Sequence, residues 1–174
     1  MRVIALVLVL ALVLPVVVSA VVVIYQTLQD DTVDNVVDAP QRTAIPPFAT
    51  ASFRVGDSPT EYCALLAATP DAHQQGMQNR DDLGGYDAMI FAFEQDSTVS
   101  FVNHFVPVDL DIGWYDRNGA LVDFTTMDKC PDGANCPTYA SRAMYRYAVE
   151  TLSGGLGGLG LTAAGASLTV TGSC

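Results

Sequence analysis

Basic side chains are few: 8 Lys and Arg stand against 19 Asp and Glu in 174 residues, a formal net charge of −11. Nucleic acids and anionic lipid headgroups are held by Lys and Arg on phosphate, so this balance excludes nucleic acid as a partner. The chain also lacks the short signatures of common chemistries. No G-x-S-x-G, H-E-x-x-H or nucleophilic Cys–His pattern is present, and no C-x-x-C spacing marks a zinc site. The glycine run Gly154–Gly160 holds no Lys followed by Ser or Thr, so it is not a phosphate cradle. The acidic stretch Asp30–Asp38 has neither the ligand spacing nor the glycine turn of a calcium loop and reads as solvated linker. No cofactor is expected. No repeat is present either, which excludes an arrayed envelope polymer.

What the chain does have is a long apolar start. Val3 to Ile24 is 22 residues without a charge, broken only by Pro15 and Ser19. As a helix it spans roughly 33 Å at 1.5 Å per residue, enough for a hydrocarbon layer of about 30 Å. Arg2 precedes it and Asp30, Asp31, Asp34 and Asp38 follow, so the positive-inside rule keeps the N-terminus cytoplasmic and the rest outside. Residues 1–25 therefore read as a single-pass anchor in the cell membrane. The rival is a signal peptide cut after Val18-Ser19-Ala20, which Val21–Ile24 opposes by continuing the apolar run. Residues 26–50 form an acidic, then proline-containing tether, and 51–174 are left for one extracytoplasmic domain.

That domain reads as short strands parted by turns. Strands are expected at Tyr62–Ala68, Ala88–Phe93, Asp111–Tyr115, Ala120–Thr125, Tyr145–Leu152 and Ser167–Thr171. Thr69-Pro70-Asp71 is a helix start, with Thr69 as the cap and Pro70 in the first turn, and the helix should run to Gln78. Asn118-Gly119 takes the positive φ of a tight hairpin turn. The glycine run has room for a short helix at most. The expected class is α+β: mainly antiparallel strands in a compact, barrel-like domain with one or two short helices.

Four cysteines in an oxidising compartment predict two disulfides rather than zinc. Cys130 and Cys136 bracket a turn-forming stretch and are expected to pair. Cys63 lies in the first expected strand and Cys174 follows the last, so these two should pair if those strands are neighbours. By loop entropy the bridges contribute about 2 and nearly 5 kcal/mol.

Several segments, in order, resemble domain of unknown function 192. Gly76-Met77-Gln78-Asn79-Arg80-Asp81-Asp82-Leu83 stands for that family's G-L/M-M-x-R-x-x-L, and Asp87–Phe93 for its G-M-L/V-F-x-F. Phe101, Leu110, Asp111 and Ile112 fit F-W-M-K-N-x-x-x-P-L-D-I without a gap, followed by Trp114, Asp116 and Gly119. Cys130…Cys136-Pro137-Thr138-Tyr139 resembles the P-C…C-P-x-Y element of exported members, and Tyr147–Glu150 the Y-x-L-E strand. Val102, Asn103, His104, Phe105 and Asp109 depart from the central motif, and a shift of two residues instead aligns Pro107 and Asp109. The resemblance implies a barrel-like α+β fold with a cleft near Arg80, Phe101, Asp111, Tyr139 and Glu150, and implies no activity.

Two functional classes compete. The first is a tethered, non-catalytic binding module, an accessory subunit of a membrane assembly whose partner presents a basic extracytoplasmic face. The second is a metal-assisted hydrolase using His104 with Asp109 or Asp111, two aspartates that share one face of a regular strand. Each aspartate equally suits a turn cap or an ion pair. His73 reads as an exposed helix residue, and Gly76 as a turn or packing glycine.

Overall fold

The computed structural model describes residues 41–174; the expected anchor, 1–25, and tether residues 26–40 lie outside the described residues. Among the described residues no helix is long and apolar enough to cross a membrane. The elements run β1 Ala49–Val55, β2 Tyr62–Ala67, α1 Pro70–Gln75, β3 Ala88–Ser97, β4 Phe101–Val102 and β5 Leu110–Tyr115. They continue with β6 Leu121–Met127, β7 Thr138–Tyr139, β8 Tyr145–Leu152, α2 Gly155–Gly158 and β9 Leu168–Val170.

Seven strands form one sheet in the order β6-β5-β8-β3-β2-β1-β9, and β4 pairs with β7 apart from it. Every neighbouring pair is antiparallel except β2–β3. Parallel neighbours need a crossover, and the β2–β3 connection carries α1. The two ends of the sheet approach each other where Leu168 N–H donates to the Gly119 carbonyl at 2.7 Å and Leu121 N–H to that of Ala166 at 3.2 Å. Gly119 sits at φ 79°, and a Cβ there would run into the Leu168 carbonyl, so the hairpin glycine also permits this closure. The class is the expected one, a barrel-like α+β domain.

Local sequence accounts for α1. Thr69 Oγ1 accepts from Ala72 N–H at 3.3 Å, and Pro70 opens the first turn. The helix stops at Gln75, short of the expected Gln78, because Gly76 turns to φ 44°. A Cβ there would press the Phe91 ring at 3.4 Å.

The domain begins earlier than residue 51. β1 starts at Ala49, Phe48 is buried, and Arg42 pairs with Asp87 at 3.4 Å. β1 was not anticipated, and it changes the reason for one disulfide. Both bridges are present, with Cα separations of 5.8 Å for Cys63–Cys174 and 5.7 Å for Cys130–Cys136. Yet β2 and β9 are not neighbours, because β1 lies between them. Past β9 the chain bonds to Ser52 through Thr171 N–H and the Gly172 carbonyl, and Ser52 sits opposite Cys63. That path carries Cys174 across β1 to β2.

Alternation sorts side chains onto two faces. Ala88, Ile90 and Val149 join Phe53, Tyr115, Leu156, Leu161 and Leu168 in one core under α2. Met89, Phe91 and Ala148 join Leu65, Ile112, Trp114, Met127 and Tyr145 in the other, under α1.

Candidate ligand-binding cleft

The α1 face of the sheet is not fully closed. Between α1 and the segment from β4 to Val106 lies a cavity of about 240 Å³. Its walls are aromatic: Phe91 and Phe101 meet edge to face with centroids 5.1 Å apart, and Phe93 stacks beside His73 at 4.7 Å. Met77 and Val106 complete the apolar lining.

Glu150 lies in this lining. It sits on β8 opposite Met89 of β3 and Ile112 of β5, so the central strands turn its side chain into the α1-side core. It is 5% exposed, and no side-chain hydrogen bond or charge among the described residues offsets its burial. Burial away from water disfavours the charged form, and the carboxyl is pushed up to about 8. Asn103, 1% exposed, also lines the cavity. Its Nδ2 donates to the carbonyls of Val108, Met127 and Asp128 at 3.1, 3.3 and 3.0 Å, which pins the loop after β4. Its Oδ1 is left without a partner, as is Trp114 Nε1 in the adjoining core. An unpaired buried polar atom costs about 1–3 kcal/mol. Such groups beside a cavity mark a site shaped for something other than packing.

His73 corrects the reading of an exposed residue. It is half-buried, with Nε2 placed 2.9 Å from the Ala67 carbonyl and 3.1 Å from that of Ala92, so Nε2 carries the proton and ties α1 to β2 and β3. His104 stands at the cleft rim with its ring against Phe105 at 4.0 Å.

The other candidates serve structure. Asp109 Oδ1 accepts from Lys129 N–H at 2.8 Å. Asp111 accepts from the Thr126 hydroxyl at 3.0 Å and from Gly154 N–H at 2.7 Å, joining β5 to the turn before α2. Among the described residues no three His, Cys, Asp or Glu side chains gather as a metal site. His104, Asp109 and Asp111 do not form such a three-residue cluster. Arg80 bonds Asp82, and Tyr139 accepts from Asp128 N–H through its hydroxyl at 2.8 Å, so neither lines the cleft. Of the positions singled out by resemblance, Phe101 and Glu150 line it. Phe91, Phe93, His73 and Asn103 were missed as site residues. A lone acid in the inward register of the apolar Tyr145–Leu152 strand is the local signal for Glu150; Asn103 has none.

The fold is a small, barrel-like α+β domain with an aromatic-walled cleft on one face, and its relatives agree on the fold. The profile of domain of unknown function 192, described as "Uncharacterized ACR", matches residues 52–169. The chain belongs to that family. Among solved structures it is similar to a protein of Sinorhizobium meliloti 1021 described as a candidate transcription regulator, at 19% identity and TM-score 0.61, covering 73% of this chain and 98% of that one. It is also similar to a protein of unknown function from Novosphingobium aromaticivorans DSM 12444, at 17% identity and TM-score 0.61, covering 75% and 92%. Identities this low speak for the fold alone. No curated protein matches the chain.

Proposed function

We propose that the chain is a non-catalytic binding module, held at the extracytoplasmic face of the cell membrane by residues 1–25, and that the cleft between α1 and β4 takes its ligand. The observation that carries this reading is the aromatic-walled cavity with the largely buried Glu150 carboxyl in its lining and Asn103 Oδ1 buried and unpaired beside it. The uncharged run Val3–Ile24 and the two disulfides support the address. The accessory role, with a partner presenting a basic extracytoplasmic face, rests on that address and on the charge of −11. The same charge argues against carrying over transcription regulation from the Sinorhizobium relative, because a duplex demands a basic surface.

Extraction of the full chain in mild detergent at low salt is the test. The native chain should carry a stoichiometric ligand or membrane partner, and Val102→Trp at the cleft rim should release it while the domain stays folded. Isolation as a lone chain with an empty cleft across several mild detergents would overturn the reading.

A further inference from the structure

We infer that the group this cleft takes is a primary alkylammonium: the end of a small aliphatic amine or of a lysine side chain. The inference rests on the cleft being a binding site and names the chemistry that fits it. Among the described residues no Lys or Arg lines the cavity, so an anion would meet no such cationic partner there. The charge and the aromatic surface of the lining are instead a carboxyl and π faces, beside the neutral polar Gln74, Gln75, Gln78 and Ser100. Glu150 contributes two carboxylate oxygens, while Phe91, Phe93 and Phe101 present rings whose quadrupoles attract a cation. An ammonium is the complement of such a set, because it carries three donors and no acceptor. The volume of about 240 Å³ lies below the roughly 300–1,000 Å³ of drug-sized sites, which suits a stem of a few methylenes packed against Met77 and Val106. The acidic surface raises the local concentration of cations around the entrance.

Proton linkage gives the inference a signature. In the empty cleft Glu150 is largely neutral at pH 7, since its pKa stands at about 8. A cation that pairs with the carboxylate must expel that proton. Affinity then rises about tenfold per pH unit below 8 and levels off above it. The other titratable groups around Glu150 are few: His73 from α1, His104 from the loop after β4, and Tyr145 at the far end of β8. His73 already donates from Nε2 to two carbonyls, and the Tyr145 hydroxyl donates to the Val99 carbonyl at 2.5 Å. Neither β3 nor β5 contributes a charged side chain to the cavity.

The experiment uses the full chain in detergent micelles, titrated with n-butylamine, n-butanol and butyrate between pH 6 and 9. Trp114, the one tryptophan of the chain, lies 6.3 Å from Phe101 and reports occupancy by its fluorescence. Butylamine should bind with the stated pH slope, the neutral and anionic probes at least tenfold more weakly, and Glu150→Gln should lose the amine and its slope. Retention of butylamine affinity by folded Glu150→Gln, or a flat pH profile in the native chain, would overturn the inference. Equal or tighter binding of butanol or butyrate would overturn the ammonium assignment and leave the cleft standing as a site. Binding of none of the probes would overturn the inference, and the detergent-extraction result then judges the cleft separately. Nα-acetyl-lysine methylamide distinguishes the sources: binding tighter than butylamine assigns the ammonium to a partner's lysine, and weaker binding assigns it to a free amine.

Discussion

Val149 and Glu150 are neighbours on β8 and face opposite sides of the sheet. The Val149 side is a closed core. Phe53, Ile90, Leu156 and Leu161 are wholly buried there, and the Tyr115 hydroxyl is satisfied by the Leu161 carbonyl at 3.0 Å. A single small group on this strand face, the Thr151 hydroxyl, goes unpaired. The Glu150 side holds more large buried side chains, yet it leaves a cavity lined by a carboxyl, and an amide oxygen and an indole N–H without partners. Stability selects the first arrangement. The second costs several kcal/mol that better packing would recover, and sites of binding are where such costs are retained.

The comparison can be broken by one ring from each face. Phe53→Ala empties a fully buried position on the closed side and should cost about 4 kcal/mol. Phe101→Ala removes a half-buried ring that borders existing space, and should cost about 1 kcal/mol while weakening ligand uptake. Urea denaturation of both variants measures the pair. Equal losses would mean that the cleft is merely core.

Titration sharpens it. Glu150 has an ordinary value of 4.5 and a folded-state value of about 8, so the folded chain holds a proton that the unfolded chain releases. Between those values stability must fall as pH rises, by about 1.4 kcal/mol per unit, and level off above 8. Glu150→Gln should flatten this slope and be more stable than the native chain at pH 8. Asp96 acts in a separate, more acidic window. Burial pushes it up, but its bonds to Arg117 and Arg146 outweigh that and hold it below the usual carboxylate range. Its contribution is present above that range and is lost as pH falls through the lowered value.

How much of this was legible in the sequence depends on how local the cause is. β8 was read to the residue, and so were the Thr69 cap and the disulfide partners, because each rests on neighbours in the chain or on compartment chemistry. β1, Ala-Thr-Ala-Ser-Phe-Arg-Val, does alternate apolar and polar residues with the period of a strand, so its signal was local. That signal is carried by small alanines directly after the proline-containing tether; β2 and β9 flank the strand. The two-residue pair β4–β7 is too short for any period to show. His73 looked solvent-facing on its own helix, and contacts from β2 and β3, the Ala67 and Ala92 carbonyls and the Phe93 ring, half-bury it. Asn103 looked like a departure from a motif until its amide met three carbonyls, two of them from residues 127 and 128. Long-range packing, not composition, made the cleft.

The smallest expected effect concerns the residues that looked most chemical. His104 lies at the rim, makes no hydrogen bond among the described residues, and leans on an exposed Phe105. His104→Ala should therefore change stability by no more than about 0.5 kcal/mol. Asp109→Ala and Asp111→Ala should each cost more, about 1–2 kcal/mol, because backbone N–H groups of Lys129 and Gly154 lose a charged acceptor. That ordering runs opposite to a catalytic trio, in which the histidine would be coupled to its carboxylates and all three would matter to one function. Zinc titration of the native chain and the three variants separates the two readings. Weak, non-stoichiometric uptake, unchanged by His104→Ala, is the expected outcome. A stoichiometric zinc site lost together in His104→Ala and one aspartate variant would instead restore the metal-assisted hydrolase. The open face would then hold two functions, with Glu150 inside the cleft and the metal at its lip.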